Sequence, residues 1–243
     1  YFILSKFVNI KLSGYKKYLA YFNGKSGLEI GGPTDCFCSN KTLPIYSVIK
    51  NLDGVNFGNF TIWEGELSDR EIFRYDNKTK KGKQFVSEAV NLKKIQSKKY
   101  DFVISCNCLE HIANPILAIK EWLRVIKDDG LLLIMLPNKK INFDHKRDIT
   151  TFNHLMSDLK SKTAESDMTH LDEILKKHDL LLDPEAGSLE DFTDRAKNNF
   201  KNRALHQHVF DMKLLKKICH HLSLEILLEN TTINDFYILA RKV

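Results

Sequence analysis

The sequence lacks any apolar run close to the roughly 20 residues that a membrane-spanning helix needs. Its opening letters, YFIL, are too short for the core of a signal peptide, and the small residues of a cleavage site do not follow them. We therefore expect no membrane span and a cytoplasmic location for this protein.

Cysteine is sparse, and its arrangement disfavours two common uses. The chain has 5 cysteines, an odd number, which argues against a disulfide framework. Most of them stand in C-x-C pairs, which lack the two-residue spacer that is usual in a zinc knuckle. Reduced thiols are the simplest interpretation of Cys36, Cys38, Cys106, Cys108 and Cys219.

A dense basic stripe of the kind that binds nucleic acid is also missing. The formal net charge of +6 permits an anionic partner. The lysines at 78–83 surround Gly82 without interleaved aromatic rings, so we interpret them as a solvated loop and not as a surface that stacks on bases. We expect no nucleic-acid partner, and the oligomeric state stays open.

The first informative segment that is present is LEIGGP, Leu28–Pro33. Its apolar start is typical of the end of a short buried strand. Gly31 and Gly32 then allow a tight turn at which the backbone can approach a ligand closely. Adjacent glycines after a strand also occur in ordinary turns, so this segment alone fits both a ligand-binding loop and a plain turn.

A second segment, Lys99–Pro137, predicts a strand, a loop, a helix and another strand. Tyr100–Ser105 has the composition of a strand. Apolar residues at helical spacing predict a helix that begins after the cap Asn114 and ends at Gly130. Leu131–Leu136 is a continuous apolar run, as expected of a central parallel strand that is covered on both faces. This order predicts a βαβ unit.

The loop CNCLEHIANP and the Glu-Trp-x-Arg-Val helix after it resemble a segment of the class I S-adenosylmethionine-dependent methyltransferases. The chain departs from that family at Pro33, which stands where the family has a third glycine. A dehydrogenase-like domain is the alternative, but the chain has no G-x-G-x-x-G. The resemblance implies one α/β domain over residues 1–243, with a Rossmann-like, mainly parallel sheet and helices on both faces.

The resemblance also implies which residues contact S-adenosylmethionine. In this family an acid at the end of the second strand holds the ribose hydroxyls, and both Asp53 and Asn56 are candidates. The segment FVSEAVNL resembles the third-strand region that lines the adenine. The cofactor-binding residues implied in this way are Glu29, Gly31, Gly32, Asp53, Asn56, Glu88, Ala89, Asn91, Cys106 and Asn107.

Residues 138–210 go beyond a minimal methyltransferase. We predict that they form a mostly helical insertion after the fifth strand, which covers the acceptor as a lid, before a C-terminal hairpin at 224–230 and 235–243. The insertion is rich in histidine. Its F-D-H-x-R, H-L-x-x-D and H-x-H-V-F-D elements resemble a bacterial subgroup found among surface-glycan biosynthesis genes. That resemblance implies a role in making capsule or surface polysaccharide.

Methyl transfer to an oxygen usually needs a base, and a histidine suits that role near neutral pH. We expect His145 to be the base, with His111 as the competing choice and Asp144 as an orienting or assisting acid. The expected acceptor is a small polar molecule, such as a sugar, a nucleotide sugar or a phosphate-bearing glycan precursor. The substrate-binding candidates are Arg147, which could pair with an acidic acceptor, His170, His206 and His208.

These histidines also have the right atoms for a divalent ion, but their spacing matches no compact metal motif. A metal-free site is therefore favoured over a metal site. Two other functions stay open: a binding protein that kept the fold without catalysis, and a methyltransferase that acts on RNA or protein. The remaining helix-borne histidines are interpreted as surface residues or hydrogen-bond donors: His154, His178, His220 and His221.

Overall fold

The computed structural model describes residues 10–62, 65–66 and 72–243, and the YFIL opening lies outside them. The described strands are β1 (Ser26–Ile30), β2 (Asn51–Asn56), β3 (Phe60–Thr61), β4 (Gly65–Glu66), β5 (Ile72–Tyr75), β6 (Lys80–Val86), β7 (Tyr100–Cys106), β8 (Ile126–Pro137), β9 (Leu224–Thr231) and β10 (Asp235–Lys242). Apart from the short β3–β4 ribbon, they form an 8-stranded sheet in the order β5-β6-β2-β1-β7-β8-β10-β9.

Helices cover both faces of this sheet. They are α1 (Tyr15–Phe22), α2 (Pro115–Val125), α3 (Phe152–Ser161), α4 (Leu171–Lys177), α5 (Leu189–Lys197), α6 (Asn199–Asn202) and α7 (Met212–His221). None of the helices in the described part of the chain is long and apolar enough to cross a membrane.

The middle of the sheet is parallel, as the sequence predicts. Strands β6, β2, β1, β7 and β8 run in one direction, whereas β5 is antiparallel to β6 and the β10–β9 hairpin is antiparallel to β8. Ile30 pairs with both Val55 and Ser105, so β1, β2 and β7 end at the same edge. The Rossmann-like fold and the C-terminal hairpin are thus confirmed, and ligand chemistry is expected at this edge.

Alternate residues of the central strands enter two different cores. Val103 faces the core under α2 and α7, whereas Phe102 and Ile104 face the core under α1. Phe102 lies against Gly27, where a Cβ atom would be 2.0 Å from its ring. Trp122, which has no exposed surface, anchors α2 in the first core and donates a hydrogen bond of 3.1 Å to the carbonyl of Ala89.

Helix α2 begins as predicted but ends earlier. The Asn114 side chain accepts a hydrogen bond from the Leu117 amide, and Pro115 occupies the first turn. The prediction that Gly130 ends this helix is wrong, because the helix ends at Val125 and the chain goes directly into β8. Gly130 is needed for close packing instead, since a Cβ atom there would lie 2.4 Å from the Ile126 side chain.

The insertion carries α3 to α6 and a small core of its own, formed by Ile174, Ala186, Phe192, Ala196 and Leu205. Its helical character agrees with the prediction from the sequence. One local prediction is wrong: the lysines at 80–83 are part of β6 and pair with β5, so only Lys78 lies in a turn. Strand pairing there could not be read from a segment so rich in lysine.

Candidate active site

The two segments that the sequence singles out meet at the carboxyl ends of β1 and β7. Gly31 has a φ of 81°, a conformation that favours glycine, and its amide donates to the Val55 carbonyl at 2.9 Å. A Cβ atom on Gly31 would lie 2.8 Å from the Cys108 sulfur. On Gly32 it would lie 2.2 Å from the carboxyl carbon of Glu29. Side chains are therefore excluded from both positions of the turn.

Glu29 lies fully buried next to this turn. Its Oε2 accepts a hydrogen bond of 2.6 Å from the Tyr46 hydroxyl, and that hydroxyl in turn accepts from the Thr34 amide. Burial and the Glu29 charge raise the pKa of Tyr46 well above its usual value, so Tyr46 stays neutral and keeps the proton that it donates to Glu29. The carboxylate thus has a fixed position behind the glycine turn.

The two candidates for the ribose contact have different surroundings. Asn56 is the last residue of β2, and its side-chain amide donates to the Gly32 carbonyl at 2.9 Å. Asp53 lies in the middle of the strand, where it accepts from the Lys83 amide at 2.8 Å and from the Tyr100 hydroxyl at 2.7 Å. Asn56 thus lies at the glycine turn, where the cofactor is expected, whereas Asp53 forms hydrogen bonds that link β2 to β6 and β7.

The other implied cofactor residues follow β6 and β7. Glu88 forms an ion pair of 2.7 Å with Arg203. The backbone amide of the exposed Asn91 donates a hydrogen bond to the Glu88 carbonyl. Cys106 is buried at the end of β7, and Asn107 follows it with a φ of 44°. Together with Ala89, these residues border the same edge of the sheet as the glycine turn.

A buried hydrogen bond joins two residues of the insertion at this edge. Asp144 Oδ2 is 2.5 Å from His206 Nδ1, and Asp144 Oδ1 accepts from Arg147 at 2.9 Å. Burial alone would raise the pKa of Asp144, but His206 and Arg147 outweigh it and hold that pKa at about 2. Burial lowers the pKa of His206, yet Asp144 and the nearby Glu110 raise it above its ordinary value overall.

Arg147 has a different place from the one predicted. Its side chain is 2% exposed, and besides Asp144 it donates to the carbonyl oxygens of His206 at 2.7 Å and Gln207 at 3.3 Å. The guanidinium is thus used inside the protein, where it fixes the chain around His206. Nothing in this arrangement leaves Arg147 exposed for an acidic acceptor.

Glu110 and His111 complete this group. The His111 ring lies edge-on to that of His206, with 4.6 Å between the ring centres, and its Nδ1 is 3.1 Å from the Leu205 carbonyl. Burial lowers the pKa of His111 to about 3 and raises that of Glu110 to about 7. A small cleft of about 10 Å³ at the ends of β7 and β8 is lined by Glu110, Pro137, Lys139, Asn142, Asp144, His206, His208, Val209 and Phe210.

His145, the expected base, lies elsewhere. Its Nε2 is 2.8 Å from the carboxylate of Asp179, which also pairs with Lys146 at 2.9 Å. The side chain is 34% exposed and is not among the residues that line the cleft. His145 is therefore next to Asp144 in the chain, but its side chain contacts Asp179 whereas that of Asp144 contacts His206.

Three further histidines form a second group with one carboxylate, the histidine cluster, which consists of His154, Asp158, His170 and His208. His154 Nε2 is 3.1 Å from His170 Nε2 and 3.4 Å from Asp158 Oδ2. Burial lowers the pKa of both His170 and His208, the latter to about 3. His206 and His208, though two residues apart, thus belong to different groups.

Sequence reasoning assigns no place in the site to three residues of these groups, Glu110, His154 and Asp158. In the sequence, Glu110 stands out only as part of the loop motif, and His154 has the pattern of a surface histidine. The available signal was the spacing of His154 and Asp158, since residues four apart on a helix lie on the same face. Nothing local shows that His170 and His208 meet this pair.

A family model and several solved structures relate this chain to known proteins. Residues 11–228 match the family model described as a methyltransferase domain. The structure of an S-adenosylmethionine-dependent methyltransferase from Aquifex aeolicus has a TM-score of 0.50 and 13% identity, over 95% of this chain and 89% of that one. The N-methyltransferase NodS from Bradyrhizobium japonicum gives a TM-score of 0.47 and 9% identity, over 95% and 94%.

A possible histamine N-methyltransferase from Thermotoga maritima aligns with a TM-score of 0.46 and 14% identity, over 97% of this chain and 90% of that one. No curated protein sequence matches the chain. Identities this low report on the fold alone, whereas the family model spans most of the sequence. The protein therefore belongs to the methyltransferase-domain family and is an enzyme that uses S-adenosylmethionine.

Proposed function

We propose that this enzyme methylates a hydroxyl oxygen of a small polar acceptor, with His206 as the base. The observation that carries the proposal is the buried hydrogen bond between His206 Nδ1 and Asp144, beside the cleft at the ends of β7 and β8. A carboxylate only accepts, so this bond keeps the proton of neutral His206 on Nδ1 and the lone pair on Nε2. That nitrogen can take the proton of a hydroxyl as its oxygen is methylated.

The residues around the glycine turn fit the cofactor. Gly31 and Gly32 form a turn in which a Cβ atom would collide with the Cys108 or Glu29 side chain, and the Asn56 side chain is hydrogen-bonded to this turn. We propose that Glu29, Asn56 and the backbone of Gly31 hold S-adenosylmethionine at this edge. When bound, S-adenosylmethionine supplies a methyl group on a positively charged sulfur, which leaves as a neutral thioether.

Two residues would position the base without touching the acceptor. Asp144 fixes the tautomer and the ring orientation of His206, as an orienting carboxylate does in a catalytic triad. Arg147 binds both Asp144 and the His206 carbonyl, so it holds the two partners in register. Glu110 lines the same cleft, and its carboxylate offers an acceptor for a second hydroxyl of a sugar-like molecule.

The acceptor we propose is a sugar, a nucleotide sugar or a phosphate-bearing glycan precursor. Polar residues that line the cleft and the resemblance of the insertion to glycan-biosynthesis methyltransferases support this choice. Lys139 adds a cation at the cleft wall, which suits an anionic group. All 5 cysteines are unpaired thiols, which fits a reducing compartment such as the cytoplasm, where capsule precursors would be methylated.

The experiment separates the two candidate bases. Sugars, sugar phosphates and nucleotide sugars are screened as acceptors by release of S-adenosylhomocysteine, and RNA and protein are included as alternatives. With the best acceptor, His206→Asn is expected to lower kcat by at least about 100-fold. His145→Asn, the matched control, is expected to keep nearly normal turnover. Calorimetry should show unchanged cofactor affinity in both variants.

Asp144 is tested by separating kcat from KM. Asp144→Asn is expected to lower kcat with little change in the KM of either substrate, and Asp144→Glu to restore part of it. A normal rate in His206→Asn together with a dead His145→Asn would assign the base to His145 instead. Robust methylation of RNA or protein, with none of the small acceptors, would overturn the acceptor class.

A further inference from the structure

The histidine cluster brings together groups from three separate segments of the insertion. His154 and Asp158 stand one turn apart on α3, His170 precedes α4, and His208 belongs to segment 206–208, which is neither helix nor strand. One ring nitrogen from each of the three histidines lies within 4.8 Å of the other two. Three imidazoles from three chain segments therefore meet at one point, and Asp158 Oδ2 lies 3.4 Å from one of them, at His154 Nε2.

Lone pairs outnumber hydrogen-bond donors at that point. Two Nε2 atoms, those of His154 and His170, face each other at 3.1 Å, and a hydrogen bond between them uses one proton. Asp158 Oδ2 is buried and has no hydrogen-bond partner among the described residues. His208 Nε2 is 3.2 Å from the Ala113 carbonyl, and its buried Nδ1 likewise lacks a partner in the described part of the chain.

Such a surplus is unfavourable for a cluster without an ion. A buried polar atom without a partner destabilises the folded state, and two such atoms of the described residues, Asp158 Oδ2 and His208 Nδ1, lie in this cluster. A bound cation would satisfy both at once. Buried charged and polar groups in proteins are usually paired with each other or bound to a metal ion.

The distances fit a tetrahedral ion. A zinc ion at its usual 2.0–2.1 Å from nitrogen has neighbouring ligand atoms about 3.3 Å apart. The separations of 3.1 Å between His154 and His170 and 3.4 Å between His154 and Asp158 bracket this value. The His208 ring lies beside both histidines, with 5.7 Å between its centre and that of His154 and 5.4 Å between its centre and that of His170.

Supporting hydrogen bonds hold the ligands in place. Thr163 donates to the second oxygen of Asp158 at 3.1 Å, and the Asn114 side chain donates to the Asp158 carbonyl at 2.9 Å. The contact of His208 Nε2 with the Ala113 carbonyl keeps a proton on that nitrogen, which directs Nδ1 to act as the ligand. Metal-binding histidines in proteins typically have such a partner on the second nitrogen.

We propose that His154, Asp158, His170 and His208 bind one divalent transition-metal ion, with Zn²⁺ as the best match. Three imidazoles and one carboxylate suit zinc, whereas Mg²⁺ and Ca²⁺ prefer oxygen ligands. Four protein ligands describe a closed, structural site. The ion would fasten α3, the start of α4 and segment 206–208 to each other beside the cleft.

The test measures metal binding directly, so its result does not depend on the proposed base. The whole chain, without any histidine tag, is stripped with chelator and titrated with ZnCl₂ by calorimetry. One equivalent is expected to bind, and Mg²⁺ is expected to give no heat. Co²⁺ should give the visible absorption of a tetrahedral ion, which a randomly bound surface ion does not.

Two variants and a control complete the experiment. His170→Gln removes a partly exposed ligand with little risk to folding, and Asp158→Asn keeps the shape of the second. Each should weaken zinc binding by at least about 100-fold, since even supporting partners of a ligand are worth 10–100-fold. His220→Gln, at an exposed histidine on α7, should bind zinc normally. Thermal melts in chelator verify that the variants are folded.

Either of two results would overturn the site. The first is that the intact chain binds no zinc. The second is equal binding by the intact chain and by both folded ligand variants, which would show adventitious ions on other histidines.

Discussion

Gly31 and Cys108 lie so close that a methyl group added to Gly31 would sit 2.8 Å from the Cys108 sulfur. Gly31→Ala should therefore weaken S-adenosylmethionine binding by at least about tenfold, because both the positive φ and the collision deform the turn. Gly31→Val should abolish it. In Gly31→Ala, the further change Cys108→Ala should restore part of the affinity by removing the collision.

Gly24 provides the control for this pair. It has a φ of 70° but open space around its missing Cβ atom. Gly24→Ala should cost about 1 kcal/mol of stability and leave cofactor affinity normal, as measured by calorimetry. Normal binding in Gly31→Ala would mean that this turn does not hold the cofactor.

The surroundings of Asn56 and Asp53 give opposite predictions for the two residues. Asn56→Leu removes the hydrogen bond to Gly32 at the cofactor turn, so cofactor affinity should fall by about tenfold. Asp53→Asn weakens the links to Lys83 and Tyr100, so the melting temperature should fall while the affinity stays. If Asp53→Asn loses the cofactor at an unchanged melting temperature, the ribose contact belongs to Asp53.

Arg203 joins two carboxylates from distant parts of the chain, Glu88 at 2.7 Å and Glu165 at 2.9 Å. Burial raises the pKa of Glu165 to about 6 even though Arg203 lowers it. Because this folded pKa exceeds the unfolded one, protonated Glu165 stabilises the folded state at low pH. This contribution to the free energy of unfolding is lost as the pH rises through 6. Without Arg203 this loss of stability at high pH should be larger, because the ionised Glu165 carboxylate would be buried without its cation.

Arg203→Met should therefore destabilise the protein by about 3 kcal/mol at pH 8, and by clearly less at pH 5, in urea unfolding. Arg241→Met is the control, since its ion pair with Glu225 is exposed and should be worth less than about 1 kcal/mol. Equal losses for Arg203→Met at the two pH values would show that Glu165 does not titrate as described.

Asp235 begins the last strand, and burial raises the pKa of its carboxyl group to about 7. Because this folded pKa exceeds the unfolded one, the protonated group favours the folded state at low pH, and that benefit is lost as the pH rises through 7. Asn cannot ionise. Asp235→Asn should thus melt at least about 2 °C above the parent near pH 8.

The difference in melting temperature between Asp235→Asn and the parent should vanish near pH 4. Asp194→Asn, at an exposed position on α5, should show no pH-dependent difference. A pH-independent gain in Asp235→Asn would point to a packing effect in place of ionisation.

The fold could be predicted because its signals are local. The apolar run before Pro137, the cap at Asn114 and the C-terminal hairpin each depend on residues next to one another, and all three are confirmed. The end of α2 at Val125 was not predictable from periodicity. It depends on the Lys98 and Lys99 amides, which donate to the last carbonyls of that helix.

The site could be predicted only in outline. Family resemblance brought Gly31 and the loop after β7 together, and the structure has them in contact. The grouping of the histidines was out of reach, because contacts such as His111 with Leu205 span 94 positions of the chain. The sequence points to His145 as the base because it directly follows Asp144. In the folded insertion, however, the Asp144 carboxylate is hydrogen-bonded to His206.

Segment 206–208 has a consequence for how this chain can vary. His206 and His208 serve separate groups, while the His208 amide is hydrogen-bonded to the Glu110 carbonyl at 3.1 Å and Gln207 is 1% exposed. Consecutive Cα atoms are about 3.8 Å apart, so one residue inserted or deleted beside this segment would displace both histidines together. Substitution can alter either group alone, but a change of length would disable both. Functional relatives should therefore tolerate length differences in the surrounding loops and none between these two histidines.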